Sequence, residues 1–214
     1  MENRKRVPGY YDYTVVLTYL GMLCSFHAIL MAINERYWDS VILLMIAGFF
    51  DMLDGTVANT KVRNKDEKRF GIQIDSLCDL VSFGIMPGIF VYMISGKSAP
   101  VGVISSLYAL AALIRLSYFN VCEEKRQDKS EGKRTHFTGL PVTSIAILLP
   151  VAFLIQEKAV FKGIAPYILL LALCGVGFLS PLEIKKPDIK AKAFLFLLGL
   201  LEALGLLFLG WDLI

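Results

Sequence analysis

Four aspartates stand in two stretches that otherwise have the composition of membrane-spanning helices. They are Asp51, Asp54, Asp75 and Asp79, within the run FFDMLDGTVANTKVRNKDEKRFGIQIDSLCDLVSFGIMP from Phe49 to Pro87. An ionised carboxylate in hydrocarbon costs about 2.5–3.5 kcal/mol on insertion scales, so four in one place mark a functional site. At about 100° per residue, Asp51, Asp54, Gly55 and Ala58 share one helix face, and Gly71, Asp75 and Asp79 share another. Carboxylate oxygens suit hard cations such as Mg²⁺ or Mn²⁺. The small residues beside them let a ligand come close to the backbone.

The elements that must position these residues can be marked off as apolar runs long enough to cross a bilayer. They are Thr14–Ala32, Ser40–Ala58, Gly71–Ile94, about Pro100–Val121, Leu140–Ile155, Pro166–Leu182 and Ala193–Leu213. The fold class expected is therefore an all-α integral membrane protein, a polytopic helical bundle of about six core spans plus one C-terminal span. Bends are expected near Pro87, Pro141 and Pro150. Lys and Arg sit unevenly between the runs: seventeen fall on the side of the N-terminal tail and four on the other, with Arg115 inside the fourth run. By the positive-inside rule the N-terminus faces the cytoplasm.

That topology puts the acids at one depth. The second run ends near Ala58 on the basic side and the third starts there at Gly71. At 1.5 Å per residue, Asp54 and Asp75 lie about 6 Å in from the helix ends, and Asp51 and Asp79 about 12 Å in. Arg115 falls in the same layer of its own span. Four carboxylates against one guanidinium leave a negative excess that a low-dielectric cavity does not tolerate. Two divalent cations would turn it into a site for a phosphate-bearing ligand. The alternative is that some of the aspartates share protons.

The pattern D-x2-D-G-x2-A, a loop, then G-x3-D-x3-D resembles the signature of the CDP-alcohol phosphotransferase (phosphatidyltransferase) family. Its positions here are Asp51, Asp54, Gly55, Ala58, Gly71, Asp75 and Asp79. The family has Arg directly after the Ala, where this chain has Asn59. Arg63 and Arg69 in the longer loop are the basic residues that could stand in, and the sequence does not choose between them. The resemblance implies transfer of a phosphatidyl unit from a CDP-linked lipid to an alcohol, with release of CMP. It implies metal binding by Asp51, Asp54 and Asp75, and a general-base role for Asp79, which could also touch the metal. Gly55, Ala58 and Gly71 would leave room for the cytidine and its phosphates.

Shorter segments bear on the acceptor. IRLSYFNV (residues 114–121), FTGLPV (residues 137–142) and FGIQIDSLCDLVSFGIMP resemble stretches of the phosphatidylserine synthase branch of that family. The resemblance implies that Arg115 holds a phosphate of CDP-diacylglycerol or the carboxylate of L-serine, and that Asn120 takes the amino-acid headgroup. A phosphorylated acceptor such as glycerol 3-phosphate or inositol phosphate would call for more Arg or Lys within the spans. Inositol also remains open, and a divalent-cation transporter is the rival from another class. Two ions, Mg²⁺ or Mn²⁺, and a homodimer complete what the family implies.

Composition agrees with this frame. The 214 residues are 56% hydrophobic, far from a soluble domain, and suit one membrane-embedded domain, with a family-like core at about 10–182 and an added span at about 193–213. A net charge of only +3 does not point to nucleic acid. Residues 1–10 are polar and basic, and read as a cytoplasmic tail rather than a signal peptide. Cys24, Cys78, Cys122 and Cys174 are scattered singly and read as small apolar fillers, with Cys78 turned away from the aspartates. His27 reads as a hydrogen-bonded core residue. His136 lies in a basic loop, and Glu202 in the last run is assigned no role.

Overall fold

The computed structural model describes residues 9–11, 13–58, 60–128, 136–158, 163–185, 194, 197–202 and 204–206. Arg4, Lys5 and Arg6 of the N-terminal tail, Asn59, Lys129, Lys133, Arg134, Lys162, Lys186, Lys190, Lys192 and the far end of the last apolar run lie outside the described residues. Helix α1 (Val16–Ile33) is entered through a 3₁₀ turn at Tyr13–Val15. It is followed by α2 (Tyr37–Ala58) and α3 (Lys65–Asp79). A π-helical turn (Leu80–Ile85) then runs directly into α4 (Met86–Ile94). The long helix α5 (Ala99–Asp128) precedes α6 (Ile145–Lys158) and α7 (Ala165–Leu179).

Among the described residues, four stretches are long and apolar enough to span a membrane: Tyr13–Ile33, Tyr37–Ala58, Lys65–Ile94 and Ala99–Arg126. With its bundle of apolar helices, the chain is an all-α, multi-pass membrane protein. The fifth, sixth and last expected runs are shorter helices: 14 residues in α6, 15 in α7, and Leu197–Leu206. At 1.5 Å per residue α6 covers about 21 Å, less than the ~30 Å hydrocarbon core. It is shortened because Pro141 opens a 3₁₀ turn (Val142–Ser144) before the helix proper. Outward-facing Leu23, Phe26, Leu107, Leu173 and Val176 are exposed, as lipid-facing side chains must be.

Packing begins with small residues. Gly21, Ser25, Ala28 and Ala32 are buried along α1 and let α2 approach closely. The Ser40 hydroxyl donates to the Ala28 carbonyl at 2.7 Å, locking the two helices together. Away from the aspartates the core is aromatic: Phe90 packs edge-on against Tyr37, Phe153 and Tyr167 at 5.6, 5.9 and 6.3 Å between ring centroids.

The third span takes a form the sequence reading did not anticipate. In place of a simple bend at Pro87, the helix widens to π geometry immediately after Asp79. Pro87 has no N–H for the Phe83 carbonyl one turn earlier. The buried Tyr108 hydroxyl donates to that carbonyl at 2.6 Å, so the orphaned acceptor is satisfied from α5.

Among the described residues the bundle also carries a small antiparallel ladder, which an all-α reading does not contain. Strands β1 (His136–Thr138) and β2 (Glu183–Lys185) pair His136 with Lys185, Phe137 with Ile184 and Thr138 with Glu183. Gly139 follows at φ +73, and a Cβ there would stand 2.7 Å from the Phe178 carbonyl oxygen. That clash and the positive φ explain the glycine in the FTGLPV segment.

Candidate metal centre

The two helix faces read from the sequence converge. Asp51, Asp54 and Asp75 are half-buried, and each offers a carboxylate oxygen within 4.8 Å of the others. Across the α2–α3 seam Asp54 meets Asp75 and Asp51 meets Asp79, each pair in side-chain hydrogen-bonding contact. Two carboxylates that touch repel unless a cation or a shared proton lies between them. Three convergent oxygen donors fit a hard divalent cation. Asp79 stands beside this trio rather than within it, one turn deeper than Asp75.

Other side chains complete the chamber. The Thr18 hydroxyl, on α1, donates to Asp54 at 3.2 Å, and the Gly55 N–H donates to the same carboxylate. Leu17, Met22, Cys78, Ser82 and Phe83 line the same small cavity as the four aspartates. Sequence reasoning missed Thr18 because nothing in an apolar run fixes the register of α1 against α2. Cys78 is a correction: it borders this cavity rather than facing away. Three residues is nearly a full helical turn, so Cys78 lies on the same side as Asp75.

The small residues behave differently from one another. A Cβ on Gly55 would meet nothing within 4 Å, so among the described residues no contact demands glycine there. A Cβ on Gly71 would stand 2.8 Å from Nη1 of Arg63. Ala58 ends α2 and is half-buried. Arg63 lies in the loop before Asn64, and its charge acts on both Asp54 and Asp75. Of the two loop arginines considered as stand-ins, the structure brings Arg63 to the acids.

Arg115 and Asn120 have defined partners. Nη1 of Arg115 donates to the Thr138 carbonyl and lies against Gly139, so its guanidinium ties α5 to the FTGLPV segment. Ser76 donates to the Asn120 side-chain carbonyl at 2.6 Å, and the Asn120 amide donates to Gln73 at 3.2 Å. Gln73 in turn donates to Glu124 at 3.1 Å. Asn120 therefore holds the face of α3 adjoining its acidic one. His27 is exposed on α1 rather than buried in the core, a second correction. His136 belongs to β1, and its side chain lies outside the described residues. Glu202 is buried, and neither carboxylate oxygen has a hydrogen-bond partner among the described residues.

Comparison with known proteins places this arrangement. The family profile described as CDP-alcohol phosphatidyltransferase matches residues 14–178. The CDP-diacylglycerol–serine O-phosphatidyltransferase of Saccharomyces cerevisiae is 34% identical over 67% of this chain and 57% of its own length. The archaetidylserine synthase of Methanothermobacter thermautotrophicus is 30% identical over 80% of this chain and 72% of its own. The CDP-diacylglycerol–serine O-phosphatidyltransferase of Bacillus subtilis is 25% identical over 83% of this chain and 91% of its own. The chain thus spans little more than half the length of the yeast relative and most of the bacterial one.

Proposed function

The chain belongs to the CDP-alcohol phosphatidyltransferase family, and within that family we propose that it transfers the phosphatidyl group of CDP-diacylglycerol to the hydroxyl of L-serine, giving phosphatidylserine and CMP. The observation that carries the reading is the convergence of Asp51, Asp54 and Asp75, with Asp79 beside them and open space over Gly55. The choice of serine is supported by the names of the yeast and bacterial relatives, and by that of the archaeal one, whose product is also a serine lipid.

Asp51, Asp54 and Asp75 would hold two divalent ions, Mg²⁺ or Mn²⁺, and Asp79 beside them would also touch the metal. Metal bound by these aspartates would supply positive charge to the diphosphate and to the departing phosphate. The remaining steps fall to the chain itself. Gly55, Ala58 and Gly71 give the cytidine and its phosphates access to the backbone. Asp79 accepts the serine hydroxyl proton as that oxygen bonds to the lipid-linked phosphorus. The bond from that phosphorus to the bridging oxygen breaks, and the electron pair leaves with CMP. Arg115, which also ties α5 to the FTGLPV segment, holds a phosphate of CDP-diacylglycerol or the serine carboxylate, and Asn120 takes the amino-acid headgroup. The N-terminus and the site face the cytoplasm, the shorter helices complete six core spans plus one, and the protein works as a homodimer in the cell membrane.

The test is CMP release by purified protein in detergent, with CDP-diacylglycerol and Mg²⁺ or Mn²⁺. Serine, inositol, glycerol 3-phosphate and inositol phosphate are offered singly, with EDTA as control. CMP is expected with serine and metal together. Release with another alcohol would keep the chemistry and reassign the acceptor. Metal binding without release on any alcohol would revive ion transport.

A further inference from the structure

We infer that Arg63, a loop residue outside the aspartate signature, grips a phosphate of the cytidine diphosphate donor. The inference deepens the proposed function and rests on it. Arg63 is half-buried, whereas Lys65, Lys68 and Arg69 just after it are exposed. It immediately precedes Asn64, the N-cap of α3. That cap is closed at both ends: Glu67 N–H donates to Asn64 Oδ1 at 2.8 Å, and Asn64 N–H donates to Glu67 Oε2 at 2.9 Å. Lys61 pairs with the same Glu67 at 3.3 Å. The loop is therefore held on both sides of Arg63, and its side chain turns back along α3 onto Gly71.

Gly71, Asp75 and Asp79 lie one turn apart on a single face, so this guanidinium stands on the open side of the acids. Among the described residues it makes no hydrogen bond or ion pair, although its charge acts on Asp54 and Asp75. A planar fork of donors is thus held over a carboxylate layer without being consumed by it. The ligand that matches both is an anion bridging cation and guanidinium, and a phosphate oxygen pair fits the fork bidentately. Gly71 then has a second purpose: a Cβ 2.8 Å from Nη1 would push the guanidinium off its seat.

The test measures CDP, cytidine and Mn²⁺ binding to the full chain in detergent by calorimetry. Arg63→Gln is expected to weaken CDP binding about 10- to 100-fold. Cytidine and Mn²⁺ affinities should be unchanged, and retained Mn²⁺ binding shows that the site is folded. Arg63→Lys should recover only part of the loss, and Gly71→Ala should reproduce it in milder form. Arg69→Gln should bind CDP as the unaltered protein does. CDP affinity unchanged in Arg63→Gln would overturn the inference and leave the proposed function standing. So would an equal loss for cytidine, or loss of Mn²⁺ binding, since either makes Arg63 a scaffold rather than a phosphate contact. Failure of the unaltered protein to bind CDP with Mn²⁺ present would overturn the proposed function and the inference together.

Discussion

Gly55→Ala should make this protein more stable and less active. Gly55 lies in α2 beside Asp54, and a Cβ built on it meets no atom within 4 Å. Among the described residues no packing reason for glycine exists, yet glycine inside a helix costs about 0.5–1 kcal/mol relative to alanine. Three residues follow before the helix ends at Ala58, so most of that gain should be realised. For a chain of 150–250 residues, 1 kcal/mol corresponds to roughly 2–4 °C in Tm. The opposite effect is expected on chemistry. If the nucleotide occupies the open space, an added methyl overpacks the complex at a cost of about 1–3 kcal/mol. That is roughly 5- to 150-fold in kcat/KM. Thermal unfolding in detergent and CMP release, run on one preparation, give both readouts. A higher Tm with kcat/KM changed by less than about twofold would refute the reasoning, because the space over Gly55 would then lie outside the ligand's path.

Three further substitutions separate roles. Asp79→Asn is expected to lose about 10²–10⁴ in turnover while keeping Mn²⁺ and CDP affinity; near-normal rates would rule out Asp79 as the base. Asp75→Asn removes one of three convergent carboxylates, so Mn²⁺ binding itself should weaken, read by paramagnetic resonance of the free ion. Tyr108→Phe leaves the Phe83 carbonyl without its side-chain donor beside Pro87 and should cost about 1–3 kcal/mol of stability. An unchanged unfolding midpoint there would mean that the π turn satisfies the carbonyl alone.

What was legible in the sequence followed from periodicity and charge. Helix spacing alone put Asp51 with Asp54 and Asp75 with Asp79, and the first four apolar runs correspond to long helices within a few residues. Depth counted along two antiparallel helices put Asp54 opposite Asp75, and the carboxylates of that pair do meet. Features that depend on how one helix turns against another were not legible. Thr18 reaches Asp54 only through the α1–α2 register, and His27 faces outward for the same reason. The β1–β2 ladder joins residues more than forty positions apart through three pairs, too short for an alternation signal. Arg63 sat among several basic residues in a loop, and only its return onto Gly71 distinguishes it from Arg69. Arg69, placed in the loop by the apolar runs, lies instead on α3, and α5 runs past its apolar stretch to Asp128.

The same third span that carries two of the acids argues against ion transport. A transported cation leaving the aspartate layer would have to continue along α4, and a path needs oxygen ligands at intervals. Beyond Asp79 the buried side chains are Ser82, Phe83, Met86, Pro87, Phe90, Val91 and Met93, and α4 itself carries no carboxylate. Phe90 is fully buried and wedged among Tyr37, Phe153 and Tyr167. Opening that layer would mean separating four aromatic side chains drawn from four helices. The one carbonyl freed by Pro87, which could have served as an ion ligand, already accepts from Tyr108. Among the described residues, then, the polar chamber ends where the aromatic core begins. A chamber closed on that side suits a reagent that enters, reacts and leaves by the basic end, as a nucleotide released from a lipid must.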